Sequence, residues 1–146
     1  MKGEEKNTNN LRNNKEIIMK NLNITERRSD LITILDLAGN IRLGDGSAEL
    51  HEALRLLVEK GAKAVLLNMA NVAHIDSSGL GELVSAYTTL HRAGGELKLF
   101  NLSDRAHELM TMTKLLTVFD VYDNESEAIQ SFNDKSSKST FSAGLM

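Results

Sequence analysis

Two adjacent hydroxyls and a carboxylate stand together in Ile75-Asp76-Ser77-Ser78-Gly79-Leu80-Gly81-Glu82-Leu83-Val84. Their chemistry depends on where the chain puts them. Leu80, Leu83, Val84, Tyr87 and Leu90 recur at the spacing of a core-facing stripe, which predicts a helix from about Gly79 to Ala93, stopped by Gly94-Gly95. Asp76, Ser77 and Ser78 then fall at its entrance, where orphan backbone N–H groups and partial positive charge favour oxygen ligands and anions. Gly79 and Gly81 follow where alanine would be better, each at a cost of up to about 1 kcal/mol. A chain that accepts this near a helix entrance needs bare backbone there, so that something can come close. What comes close should touch Ser77 or Ser78.

Four chemistries compete for the serines. Capping is expected, because Ser and Asp oxygens accept the orphan N–H groups, but it needs one residue and explains neither glycine. A hydrolase built from Ser77, His74 and Asp76 is disfavoured. Residues so close in sequence seldom converge as nucleophile, base and orienter, and the strand–Gly-x-Ser-x-Gly–helix elbow is missing. A nucleotide or phosphate cradle is a weak match, since Gly79-Leu80-Gly81 lacks both a third glycine and a Lys-Ser/Thr pair. The fourth is that a serine here accepts a phosphate, whose charge of roughly −1.5 to −2 a helix N-terminus tolerates. Phosphate would turn a small, nearly neutral contact surface into a bulky anion. A partner packed against Gly79 and Gly81 would lose its fit. Ser78, Gly81, Glu82, Ser85, Thr89 and Arg92 form a small, polar strip along the same helix, and Glu82 and Ser85 are further contact candidates.

The elements that must position this helix alternate in period. Leu22 and Ile24 before Arg27-Arg28-Ser29-Asp30, with Ile32 to Leu37 after it, suit two strands of a hairpin. Gly39 to Gly46 reads as a loop. Ser47 is placed as the cap of a helix carrying Leu50, Leu54, Leu57 and Val58, ended by Gly61. Ala64-Val65-Leu66-Leu67 suits a short buried strand, followed by a loop to Asp76. Leu97, Leu99 and Phe100 make another strand. Ser103 caps a third helix to about Thr113, and Val118 to Tyr122 suits a last strand. Asn124 and Glu127 resemble a capping box for a final helix with Ala128, Ile129 and Phe132. This order predicts an α/β protein with a mixed sheet of four to five strands and about four helices. The entrance of the serine helix should lie at the carboxyl end of a buried strand, where open α/β sheets place their sites.

Composition narrows the classes. The 146 residues fit one domain, taken as 15–133 between polar, disordered tails at 1–14 and 134–146. A net charge of −3 and a pI near 5.8 argue against direct nucleic-acid binding. No apolar run approaches the roughly 20 residues of a membrane span, and no secretory signal precedes the domain, so a cytoplasmic location is expected. Without cysteine there is no thiolate metal site and no thiol nucleophile. His51, His74, His91 and His107 lack metal-ligand spacing, and neither a metal nor a cofactor is expected.

Ile75-Asp76-Ser77-Ser78-Gly79-Leu80-Gly81 resembles the signature of the anti-sigma factor antagonists, the bacterial branch of the STAS domain family. The resemblance covers about residues 16–132, including Ala64 to Met69 and Gly94-Gly95-Glu96-Leu97. It implies a single STAS-like domain without catalytic activity. It also implies that Ser77, the serine after the aspartate, is phosphorylated by an anti-sigma factor that is itself a serine kinase, with Ser78 as second choice. The unphosphorylated form would bind that anti-sigma factor and free a sigma factor. Phosphate would end the binding, and a phosphatase would restore it. ATP and Mg²⁺ would belong to the kinase. One departure stands out: family members often carry Glu-hydrophobic-Asp after the glycine of the early strand, and here Gly39 is followed by Asn40-Ile41-Arg42. The alternative is a structural STAS subunit of a signalling or transporter-associated assembly, with the motif helix as a permanent docking surface.

Overall fold

The computed structural model describes residues 22–133, so both tails and residues 15–21 of the expected domain lie outside the described residues. The chain runs β1 (Leu22–Ser29), β2 (Ile32–Ile41), α1 (Ser47–Glu59), β3 (Ala64–Ile75), α2 (Ser77–Arg92), β4 (Glu96–Phe100), α3 (Asp104–Met112), a 3-10 turn (Leu115–Thr117), β5 (Asp120–Tyr122) and α4 (Glu125–Asn133). The five strands lie side by side in chain order. β1 is antiparallel to β2, and the remaining pairs are parallel. Among the described residues, the mixed sheet with four helices is the architecture expected from the alternation of periods.

The hairpin turns later than the polar run suggests. Arg27, Arg28 and Ser29 belong to β1, and the chain reverses at Asp30-Leu31, with Asp30 at φ 55°. β1 is an edge strand, and charged side chains on an edge discourage pairing with other chains. Arg27 also reaches across the sheet, donating to Asp36 Oδ2 at 2.6 Å and to Glu125 Oε1 at 2.9 Å. The charge run therefore serves the sheet rather than the turn.

From β2 onward each connection steps one strand in the same direction. Crossovers of constant hand then place their helices on one face. The larger core accordingly joins Leu50, Leu54 and Leu57 of α1, Leu80, Leu83 and Leu90 of α2 and Met110 of α3 to Leu35, Leu37, Val65, Leu67, Leu97 and Leu99 of the sheet. Among the described residues α4 covers the other face, setting Ala128 against Ile32, Ile34, Leu66 and Phe100. Each fully buried leucine of the α2 stripe contributes about 1.5–3 kcal/mol, which is enough to fix the rotation of that helix about its axis.

Two expectations are corrected here. Residues 68–75 are not a loop: β3 continues to Ile75, paired with the far half of β2, which itself continues through Gly39 to Ile41. The pairing moves from Asp36↔Asn68 to Ala38↔Asn71 and again from Gly39↔Val72 to Asn40↔His74, so β3 gains an extra residue at each of two bulges. The bulges break the two-residue period, which is why this stretch does not read as a strand. Nor does Ser47 cap α1. Gly46 occupies the cap position at φ 103°, with no side-chain cap bond, and Ser47 is buried one step inside the helix.

Candidate functional site

The extended β2–β3 ribbon delivers the chain to the entrance of α2 without slack. Asp76 N–H donates to Ile41 O at 3.4 Å, and Asp76 is the helix cap. Its Oδ1 accepts from Gly79 N–H at 3.0 Å and its Oδ2 from Leu43 N–H at 3.3 Å. One carboxylate thus fixes both the first turn of α2 and the turn that follows β2. These N–H donors, Gly79 first, hold its pKa below the ordinary aspartate range, against a smaller opposing effect of lost hydration. The side chain stays anionic at neutral pH.

Ser77, first residue of α2, is exposed, and its hydroxyl has no hydrogen bond among the described residues. Asp76 therefore orders the segment around Ser77 rather than binding the hydroxyl itself. Ser78 is half-buried, with Oγ 3.5 Å from Ser47 Oγ, and so faces α1. Of the two serines, only Ser77 presents an unengaged hydroxyl to solvent.

The two glycines divide. A Cβ built on Gly79 would lie 2.0 Å from Ile41 O, and Gly79 is buried, so its bare backbone admits the chain's own β2 rather than a partner. The expectation that Gly79 opens onto a partner is corrected accordingly. Gly81 is exposed, and a Cβ there would meet nothing within 4 Å. Ser85 is also exposed, on the strip expected from the sequence. Glu82 is partly engaged: its Oε1 lies 2.9 Å from His51 Nδ1 of α1. Beyond this pair a groove between α1 and α2 is floored by Leu54, Val58 and Ala86, with Ser85 and Thr89 on its rim.

Asn40 and Arg42 turn toward one carboxylate. Asn40 Nδ2 donates to Asp45 Oδ2 at 3.0 Å and Arg42 Nε to the same oxygen at 3.1 Å. Asn40 Oδ1 lies 3.1 Å from His74 Nδ1, so His74 braces the ribbon. Among the described residues no group of three or more His, Asp or Glu is arranged to hold a metal ion.

The STAS domain family model matches residues 23–128. The anti-sigma-B factor antagonist of Listeria monocytogenes is 33% identical over 106 residues, covering 73% of this chain and 91% of that protein. The chain belongs to the STAS domain family of anti-sigma factor antagonists. A shorter match, 32% over 65 residues, joins it to the anti-sigma F factor antagonist of Paenibacillus polymyxa and spans 44% of this chain but only 56% of that relative. The fold also matches the solved structure of the Bacillus cell fate determinant SpoIIAA in the phosphorylated form, with a TM-score of 0.60 at 18% identity, over 75% of this chain and 99% of that one.

In this STAS domain the Asp76-Ser77 pair sits where the sequence places it, at a helix entrance beyond a parallel strand. The structure adds what the sequence did not reveal: the Arg42–Asp45 turn, the Ser47–Ser78 approach and the His51–Glu82 bridge. The last two join residues thirty-one positions apart, and the first lies within one short turn, so none leaves a periodic signal. Among the described residues no helix is long and apolar enough to cross a membrane.

Proposed function

We propose that this chain is a partner-switching anti-sigma factor antagonist whose switch is Ser77. The observation that carries this is the unengaged, exposed Ser77 hydroxyl held at the entrance of a sixteen-residue helix by the cap of Asp76. In the unphosphorylated form, Ser77, Gly81 and Ser85 offer a small, neutral surface to an anti-sigma factor, which on binding releases its sigma factor. The same anti-sigma factor acts as serine kinase. Ser77 Oγ attacks the γ-phosphorus of kinase-bound ATP, ADP leaves, and the hydroxyl proton passes to a base of the kinase. Asp76 already spends its oxygens on Gly79 and Leu43, so it orients the acceptor and does not deprotonate it. The protein has no catalytic activity of its own in this reading.

Phosphate then works against the partner, not against the fold. It brings roughly −1.5 to −2 of charge next to the Asp76 carboxylate, on a surface built for close contact. The aligned helix offsets part of that charge within the domain. A phosphatase acting on phospho-Ser77 resets the switch. That the structurally similar SpoIIAA has been solved in a phosphorylated form supports the capacity of this fold to carry phosphate.

The test is direct. Incubation with the anti-sigma kinase and Mg-ATP should add one phosphate, which fragmentation mass spectrometry should place on Ser77. The phosphorylated protein should no longer bind that kinase, and Ser77→Ala should take up none. Phosphate found only on Ser78 or on a tail serine overturns the assignment.

A further inference from the structure

Leu43 is 78% exposed. A single exposed leucine calls for no explanation. Leu31, 85% exposed at the tip of the β1–β2 hairpin, is such a case, at the end of the sheet away from Ser77. Leu43 differs in how firmly it is held and by what. Its N–H donates to Asp76 Oδ2, the carboxylate of the residue directly before Ser77. The turn around it is closed from both sides, with Arg42 N–H to Asp45 O at 2.9 Å and Asp45 N–H to Arg42 O at 2.8 Å. Asn40 and Arg42 side chains add bonds to Asp45, and Ser47 N–H donates to Arg42 O at 3.2 Å. Gly44 closes the turn at φ +72°, with nothing within 4 Å of the Cβ it lacks.

The backbone that carries this apolar side chain is pre-set in position, so a binding partner need not order a loop to use it. Any protein that covers Ser77 must also approach the turn bonded to Asp76. We propose that Leu43 is an apolar anchor of the switch surface, entering an apolar pocket on the anti-sigma factor beside the site that reaches Ser77. The proposal rests on the function proposed above and adds a residue to it on a separate segment of the chain. Arg42 and Asp45 spend their bonds on holding the turn, and Leu43 meets the partner. The occupant is the anti-sigma factor rather than a second copy of the chain, because the turn is continuous with the switch serine through Asp76.

The experiment takes the anti-sigma kinase that phosphorylates Ser77 and measures its affinity by calorimetry for wild type, Leu43→Ser, Leu43→Met and Leu31→Ser. A buried central anchor should cost at least about tenfold in affinity when made polar. Leu43→Ser should show that loss with an unchanged urea midpoint, while Leu43→Met and Leu31→Ser stay close to wild type. Equal binding by Leu43→Ser overturns the anchor while leaving Ser77 as the switch. So does a Leu43→Ser protein whose only change, by light scattering, is loss of self-association, which would make a second copy the occupant. If no anti-sigma kinase binds the wild type or phosphorylates Ser77, the underlying function has failed and the anchor falls with it.

Discussion

On the first two turns of α2, Gly79 faces inward, where an added Cβ meets Ile41 O at 2.0 Å, while Gly81 faces out, with nothing within 4 Å. The two lie on one helix and have the same cost in helix propensity. One argument applies to both: a helix that accepts glycine needs bare backbone for something to approach. What differs is the identity of the approaching group. At Gly79 it is the last carbonyl of the β2 ribbon, and the glycine belongs to the fold. At Gly81 no group among the described residues takes the space, and the glycine is left for an outside surface. A functional reading of a glycine pair therefore has to be made one residue at a time.

The strongest way to break this comparison is Gly79→Ala. The new methyl must displace a backbone carbonyl, since Ile41 is fully buried and its oxygen also accepts the Asp76 N–H. Overpacking of this kind costs about 3 kcal/mol or more when backbone rather than a side-chain tip must yield. A urea titration should show the midpoint falling steeply, with partner binding lost as a consequence. A midpoint within experimental error of wild type would mean that the β2–α2 junction is softer than its bonds indicate.

The legible part of this molecule is the part with a regular period. The α2 stripe of Leu80, Leu83 and Leu90 follows helical spacing without interruption, so both the helix and the placing of Asp76 and Ser77 at its entrance can be read directly. The far half of β3 cannot, because two bulges move Met69, Val72 and Ile75 off alternation. Ser47 has the composition of a cap but is displaced from that role by Gly46, whose left-handed backbone is invisible in a list of residues. Leu43 is a lone apolar residue among glycines and charges. Only the bond from its amide to Asp76, thirty-three positions away, connects it to the switch.

A middle-sized effect sharpens the comparison through the residue that both regions share. Asp76→Ala removes the cap of α2 and the acceptor of the Leu43 amide, which should cost about 1 kcal/mol, within the usual 0.5–2 kcal/mol for a lost cap. The pH dependence has a definite sign. The carboxyl pKa is lowered in the folded protein, so its charged form contributes stability above the ordinary aspartate value, near 3.9, and loses that contribution as pH falls through the lower folded value. The stability gap between wild type and Asp76→Ala should thus be constant near neutral pH and narrow below about pH 4. Denaturant midpoints from pH 7 down to the acid limit of folding measure it. A gap that widens on acidification would assign the shift to another group.

The smallest expected change in stability is the one that discriminates most sharply. Gly81 sits in the helix interior with a φ outside the left-handed region, so alanine enters without strain and should stabilise the domain by up to about 1 kcal/mol. If the strip of Gly81 and Ser85 is the partner surface, the same methyl group projects into the contact and weakens binding to the anti-sigma factor. Stability and affinity then move in opposite directions within one variant. A glycine that is merely exposed would give the first effect without the second. A glycine required by the fold would lose both together, as Gly79 should. Denaturant midpoint and affinity measured on the same Gly81→Ala preparation separate these three cases. Wild-type affinity in a stabilised Gly81→Ala protein would move the partner off this strip and toward the turn that carries Leu43.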